Sequence, residues 1–224
     1  MASIYLIRHG QASLGAADYD NLSPLGHQQA QQLGRYFADK GMAPQAIFMG
    51  SLRRHAQTWA GIAEGMAQAG LPAPEVRPGL NEYDSDAVIR CIAPDASVQP
   101  DSPDAVRAHF RRLRSGLQLW ASGATTPAGM LPYRDFAQGV ADVLAHVRAH
   151  CSGDVLVVSS GGPIATAVAM TLGASPEAFI ELNMRIRNTA VTALHYTPKR
   201  HALHTFNTLP HLDAAEFADW VTYA

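Results

Sequence analysis

Two short segments of this 224-residue chain carry side chains able to handle an anion. Arg8-His9-Gly10 follows directly on the apolar run Ser3-Ile4-Tyr5-Leu6-Ile7, and Ser159-Ser160-Gly161-Gly162 follows directly on the run at 154–159. An Arg and a His at the mouth of a buried strand are costly unless an anion or a carboxylate pairs with them. The glycine allows close backbone approach. A guanidinium beside an imidazole disfavours the protonated ring, so a nitrogen lone pair stays available near neutral pH. That is what a nucleophile toward phosphorus requires. By itself the tripeptide reads more readily as a half-buried His with an Arg paired to a core carboxylate. The second segment opens a helix at Gly161-Gly162, whose backbone N–H groups would point at the same region as an anion site.

The positioning elements are legible from periodicity. Residues 3–7 read as a buried strand, 22–38 as a helix with Ser23 as N-cap and Pro24 in its first turn, 46–49 as a strand and 51–69 as a helix. A short strand is expected near Val76, and helices at 103–121 and 134–150. Residues 154–159 are the clearest strand. A helix follows to about Leu172, then strands at 189–196 and 201–206 and a short helix at 213–222. Strands interleaved with helices predict an α/β fold in three layers, a mainly parallel central sheet with helices on both faces. In such a sheet ligands bind beyond the carboxyl ends of the strands, where both segments fall. One domain over 1–224 is expected, with a Pro-punctuated insertion at about 84–132 that covers the site.

Composition excludes several classes. Lys plus Arg is 17 and Asp plus Glu 19, a formal charge of −2, without the basic excess of a general nucleic-acid binder. Fifteen of the 17 basic residues are Arg, the better bidentate partner for phosphate. Cys91 and Cys151 form no metal-type or secreted-type spacing and read as reduced thiols. The N-terminal apolar run breaks at Arg8 and no stretch reaches 18 apolar residues, so neither a signal peptide nor a membrane span is expected, and a cytoplasmic location is.

The order of short motifs resembles the histidine phosphatase superfamily, also called phosphoglycerate-mutase-like. The matching residues are Leu6-Ile7-Arg8-His9-Gly10-Gln11, Leu22-Ser23-Pro24-Leu25-Gly26 with Gln29-Ala30, Leu52-Arg53-Arg54 with Gln57-Thr58, Leu80-Asn81-Glu82, and Val157-Val158-Ser159 with Gly161-Gly162. The resemblance implies that His9 attacks phosphorus and carries a phosphohistidine, that Arg8 and Arg54 clamp the phosphoryl oxygens, and that Glu82 is the general acid and base. Phosphoryl transfer is mostly positioning and charge stabilisation, so two Arg forks around one nucleophile suit it. The scheme calls for no cofactor or metal, and for a small phosphorylated molecule or phosphate as partner. Arg53 should be solvated. Asp84 and Asp86 are rivals of Glu82. Gln11, Ser13, Ser160 and Gly161 are further phosphate-binding candidates, and His211 has no assigned role. Arg90, Arg107, Arg111 and Tyr133 are possible substrate contacts from or beside the insertion.

Two positions depart from the family pattern. Ser160 stands where a second histidine usually donates to the transferring phosphoryl group, and Gly15 where many members have a phosphate-binding asparagine. One transition-state donor is worth about 10²–10³ in rate, so the expected function is a phosphatase of reduced power. A phosphate- or phosphoester-binding protein with little turnover is the alternative, and a mutase-type phosphotransferase the third. If the pocket is otherwise unchanged, Ser160→His should raise turnover.

Overall fold

The computed structural model describes residues 2–13, 20–95 and 103–223. Gly15 therefore lies outside the described residues. Six strands form one mixed sheet in the order β3-β2-β4-β1-β5-β6. They are β1 (Ser3–Arg8), β2 (Ala46–Met49), β3 (Glu75–Val76), β4 (Val155–Ser159), β5 (Val191–Tyr196) and β6 (His201–Thr208). The first four run parallel, while β5 lies antiparallel to both β1 and β6.

Alternation along the buried strands splits the core in two. Ile7, Leu156, Val158 and Val191 face one side and pack on α1 (Pro24–Asp39) and α2 (Arg53–Met66) through Leu33, Phe37, Trp59 and Ile62. Ile4, Leu6, Val155, Val157 and Leu194 face the other side. There they meet α5 (Tyr133–His150), α6 (Gly161–Leu172) and α7 (Pro176–Asn183) through Val140, Leu144, Ile164 and Phe179. The three-layer α/β expectation holds.

Residues 84–132 hold α3 (Ser85–Arg90) and α4 (Pro103–Ala121). Val88, Ile89, Leu113, Leu117 and Trp120 from this stretch belong to the second core. Two helices were not anticipated. In α3 the Asp84 carboxylate accepts from the N–H groups of Asp86 and Ala87, a short-range cap inside a weakly periodic stretch. In α7 the signal was present, since Ser175-Pro176 is an N-cap and first-turn pair. The helix expected at 213–222 is instead a 3-10 segment, Ala215–Trp220, none of whose residues is fully buried. Without a buried face, little favours a full α-helix there.

Parallel register brings three loops to one edge. Arg8 pairs with Ser159 and Met49 with Val158, so the residues after β1, β2 and β4 leave the sheet side by side.

Candidate active site

His9 is the first residue beyond β1, and its N–H donates to the Ser159 carbonyl at 2.9 Å. Its side chain is 3% exposed, and Nδ1 lies 2.7 Å from the Gly10 carbonyl. A carbonyl only accepts, so that contact places the proton on Nδ1 and leaves the lone pair on Nε2. Burial, then the charges of Arg8 and Arg54 and the neighbouring His55, hold the ring well below the ordinary histidine value. His9 is thus an uncharged imidazole at neutral pH.

Glu82 belongs to the segment after β3 and reaches the start of α6. Its two carboxyl oxygens lie 3.0 and 3.2 Å from the Gly162 N–H, at the start of α6. Burial raises its pKa against the opposing pull of Gly162, Arg54 and Arg8. Gly162 is required by distance: a Cβ there would sit 2.2 Å from Glu82 Oε1. The N–H expected to face an anion therefore holds a carboxyl group. At Gly161 a Cβ would meet Asn183 Oδ1 at 2.6 Å. The rivals resolve the same way, since Asp84 caps α3 and Asp86 lies in its first turn.

Arg54 is the second residue of α2 and is 7% exposed, whereas Arg53 beside it is exposed, as expected. Asp20 secures the arrangement. Its carboxylate accepts from the Arg53 N–H at 2.8 Å, the Arg54 N–H at 3.5 Å and Arg54 Nη1 at 2.8 Å. It thereby caps the helix and orients the fork. Arg8 Nη1 donates to the Ile186 carbonyl and, at 2.6 Å, to that of Tyr223. Arg8 and Arg54 act electrostatically on both His9 and Glu82, so all four groups surround one neighbourhood.

The uncharged motif residues form the frame. A Cβ on Gly10 would lie 2.4 Å from the Gly26 carbonyl oxygen, and one on Gly26 2.2 Å from that of Gln11. The loop after β1 and the start of α1 are thus in backbone contact. Thr58 Oγ1 accepts from the Gly10 N–H at 3.0 Å and donates to the Arg54 carbonyl at 2.7 Å. Gln29 accepts from the Gln11 N–H at 2.9 Å, and Gln57 from that of Leu22 at 2.8 Å. Asn81 holds Ser51 on both its backbone and hydroxyl.

The remaining candidates divide. Gln11 Oε1 accepts from Ser23 Oγ at 2.8 Å, tying it to the α1 cap, and the Ser13 N–H donates to the Asn21 carbonyl at 2.8 Å. Arg90 stands 3.8 Å from Asp84, Arg107 pairs with Asp104 on its own helix, and Arg111 is exposed. Tyr133 packs among Trp120, Phe136 and Phe179. His211 is buried, and burial lowers it to about 3. Its Nε2 lies 2.9 Å from Thr189 Oγ1, and the Thr189 N–H reaches the Arg8 and His9 carbonyls at 3.1 and 3.3 Å. His211 therefore braces the backbone at Arg8 and His9.

Sequence reasoning missed Asp20 and His55. His55 is wholly buried, and its Nε2 lies 2.7 Å from Ser160 Oγ. Its ring centroid is 5.9 Å from that of His9. Burial and the Arg54 charge lower it to about 3. The space around Ser160 is thus already occupied by an imidazole, and the gain expected of Ser160→His gives way to a steric conflict. Among the described residues no group of three or more His, Cys, Asp or Glu is placed to hold a metal ion, and no helix is long and apolar enough to cross a membrane.

The family model that matches the chain is that of the histidine phosphatase superfamily, branch 1, over residues 4–209. Among solved structures, a phosphoserine phosphatase from Entamoeba histolytica in complex with 3-phosphoglyceric acid is 20% identical. That match covers 95% of this chain and 100% of the other at a TM-score of 0.67. YhfR of Bacillus stearothermophilus is 18% identical, covering 94% and 99% at a TM-score of 0.69. A mycobacterial glucosyl-3-phosphoglycerate phosphatase with inorganic phosphate is 20% identical, covering 93% and 98% at 0.67. No curated protein sequence matches the chain.

Proposed function

The chain belongs to the histidine phosphatase superfamily, and we propose that it hydrolyses phosphomonoesters through a phosphohistidine on His9. The observation that carries this reading is the pairing of an uncharged His9, protonated on Nδ1, with a Glu82 whose pKa is raised. Two groups pushed apart in this way suit a nucleophile and a general acid. His9 Nε2 attacks phosphorus as the ester P–O bond breaks. Glu82 gives its proton to the leaving oxygen, and the alcohol departs. Glu82, now ionised, takes a proton from water as that water attacks the phosphohistidine. The N–P bond breaks, phosphate leaves, and His9 and Glu82 return to their starting states. Arg8 and Arg54 hold the phosphoryl oxygens in both steps.

The solved relatives named as phosphatases of phosphoserine and glucosyl-3-phosphoglycerate support a small phosphorylated metabolite as substrate. The Trp120 ring lies 5.5 Å from that of Tyr83, the residue after Glu82, which supports a covering role for the insertion at about 84–132. Ser160 is the single observation favouring the alternative, binding with little turnover. Phosphate release from an aryl phosphate, with His9→Ala as control, tests the reading. Turnover that His9→Ala abolishes is expected, and equal release from both proteins would refute it.

A further inference from the structure

The serine at position 160 removes an imidazole from the end of β4, yet the structure returns one from a different element. His55 lies on the first turn of α2, immediately after Arg54, and is wholly buried with its Nε2 2.7 Å from Ser160 Oγ. Its ring is tilted against that of His9 at a centroid distance of 5.9 Å. His9 and Ser160 are the residues just beyond the paired Arg8 and Ser159 at the carboxyl edge of the sheet. One imidazole thus lies beside the His9 ring and within hydrogen-bond distance of the hydroxyl at the start of α6.

We propose that His55 acts through Ser160 as a two-member donor to the transferring phosphoryl group, in place of the second histidine of the superfamily. This rests on the phosphatase reading. His55 Nε2–H donates to Ser160 Oγ, and the hydroxyl donates its own proton to a phosphoryl oxygen. His55 is a positioning residue, and Ser160 is the group that meets the substrate.

A bound anion sets this direction. His55 Nδ1 lies against the Gly50 backbone, where a Cβ would be only 2.3 Å away, without a hydrogen bond of ordinary geometry. The Gly50 backbone still attracts a ring proton on that side, a weak pull that an anion at Ser160 has to outweigh. An anion bound beside His9 selects the hydroxyl rotamer that points its hydrogen toward it. Ser160 Oγ must then accept from its neighbour, which requires the proton on Nε2. Burial and Arg54 keep the ring neutral, so it serves as a donor without adding a charge. A hydroxyl held by a buried ring is also fixed in one orientation, the preorganisation that makes a donor effective in the transition state.

The test combines aryl phosphate kinetics, inhibition by orthophosphate and melting temperature, in full-length protein. Ser160→Ala and His55→Leu should each lower kcat about 10²-fold, with KM changed far less. The double variant should be no worse than the poorer single one, because the two residues act as a unit. His55→Gln keeps a neutral N–H and should recover most of the rate. His55→Ala combined with Ser160→His, which restores one imidazole without crowding, should turn over faster than His55→Leu. A folded His55→Leu with wild-type kcat, in a protein whose turnover His9→Ala abolishes, would overturn the proposal while leaving the phosphatase reading intact. If His55→Leu does not fold, Ser160→Ala decides, and unchanged kcat overturns the proposal. If the wild type shows no His9-dependent turnover, the phosphatase reading fails. Orthophosphate affinity then decides: weakened binding in Ser160→Ala supports the donor pair, and unchanged binding overturns it.

Discussion

Gly162→Ala separates the stability of this fold from its chemistry. The new Cβ would lie 2.2 Å from Glu82 Oε1 and 2.7 Å from Tyr83 Cδ1, against an ordinary contact of 3.4 Å or more. The carboxyl group is the far end of a flexible side chain, so it can swing away by about an ångström and relieve the crowding. Gly162 is the second residue of α6, so alanine gains there no more than the helix-interior advantage over glycine of about 1 kcal/mol. Strain against Tyr83 offsets that gain, and stability should change by no more than about 1 kcal/mol. The rate should fall far more. A misplacement of about 1 Å costs on the order of 10²-fold, and a positioned general acid contributes about 10²–10⁴-fold. Leaving groups give a specific signature. Esters of poorly acidic alcohols need the Glu82 proton and should lose the full factor, whereas esters of strongly acidic phenols should lose much less. Steady-state kcat over a series of leaving groups, with thermal melts alongside, measures both. Undiminished kcat on the least acidic leaving group in a normally folded Gly162→Ala would refute the assignment of Glu82.

Glu82→Gln should reproduce that leaving-group pattern and raise the melting temperature at pH 8, because burial disfavours the charged carboxylate that the amide replaces. The pH–rate profile should lack a His9 limb near 6.5 and fall as pH rises through the raised Glu82 value, since the first step of the proposed mechanism needs the ring neutral and the acid protonated. Stability should run the other way at low pH: His55 and His211 stand at about 3 in the folded protein against 6.5 unfolded, so the unfolded chain binds more protons between those values. Their contribution is complete above about 6.5 and drains away as pH falls toward 3, which urea titrations at stepped pH would detect. Asp20→Ala should cost about 1 kcal/mol through loss of the α2 cap and weaken orthophosphate inhibition severalfold by releasing Arg54, whereas unchanged inhibition would separate Asp20 from phosphate binding. Gly26→Ala should destabilise by about 1–3 kcal/mol, because its Cβ would meet the Gln11 backbone oxygen, which cannot swing aside; urea midpoints distinguish it from Gly162→Ala.

Local chemistry made much of this protein legible in its sequence. β1 and β4 are continuous apolar runs because both their faces are covered, and α1 carries its own start signal in Ser23-Pro24. The motif glycines at 10, 26 and 162 mark backbone or carboxyl groups packed too closely for a Cβ. Those features are written within a few residues and survive reading in one dimension. The partnership of Asp20 with Arg54, 34 residues apart, and of His55 with Ser160, 105 apart, leaves no such mark. Neither spacing follows a helix or strand period. Each pair exists only because parallel register sets the ends of β1, β2 and β4 side by side and α2 starts beside them. The sequence therefore determined which groups could do chemistry, whereas only the tertiary structure decided which buried groups face one another, because burial, and with it charge state and hydrogen-bond partnership, is a property of the packed sheet edge and not of any one segment.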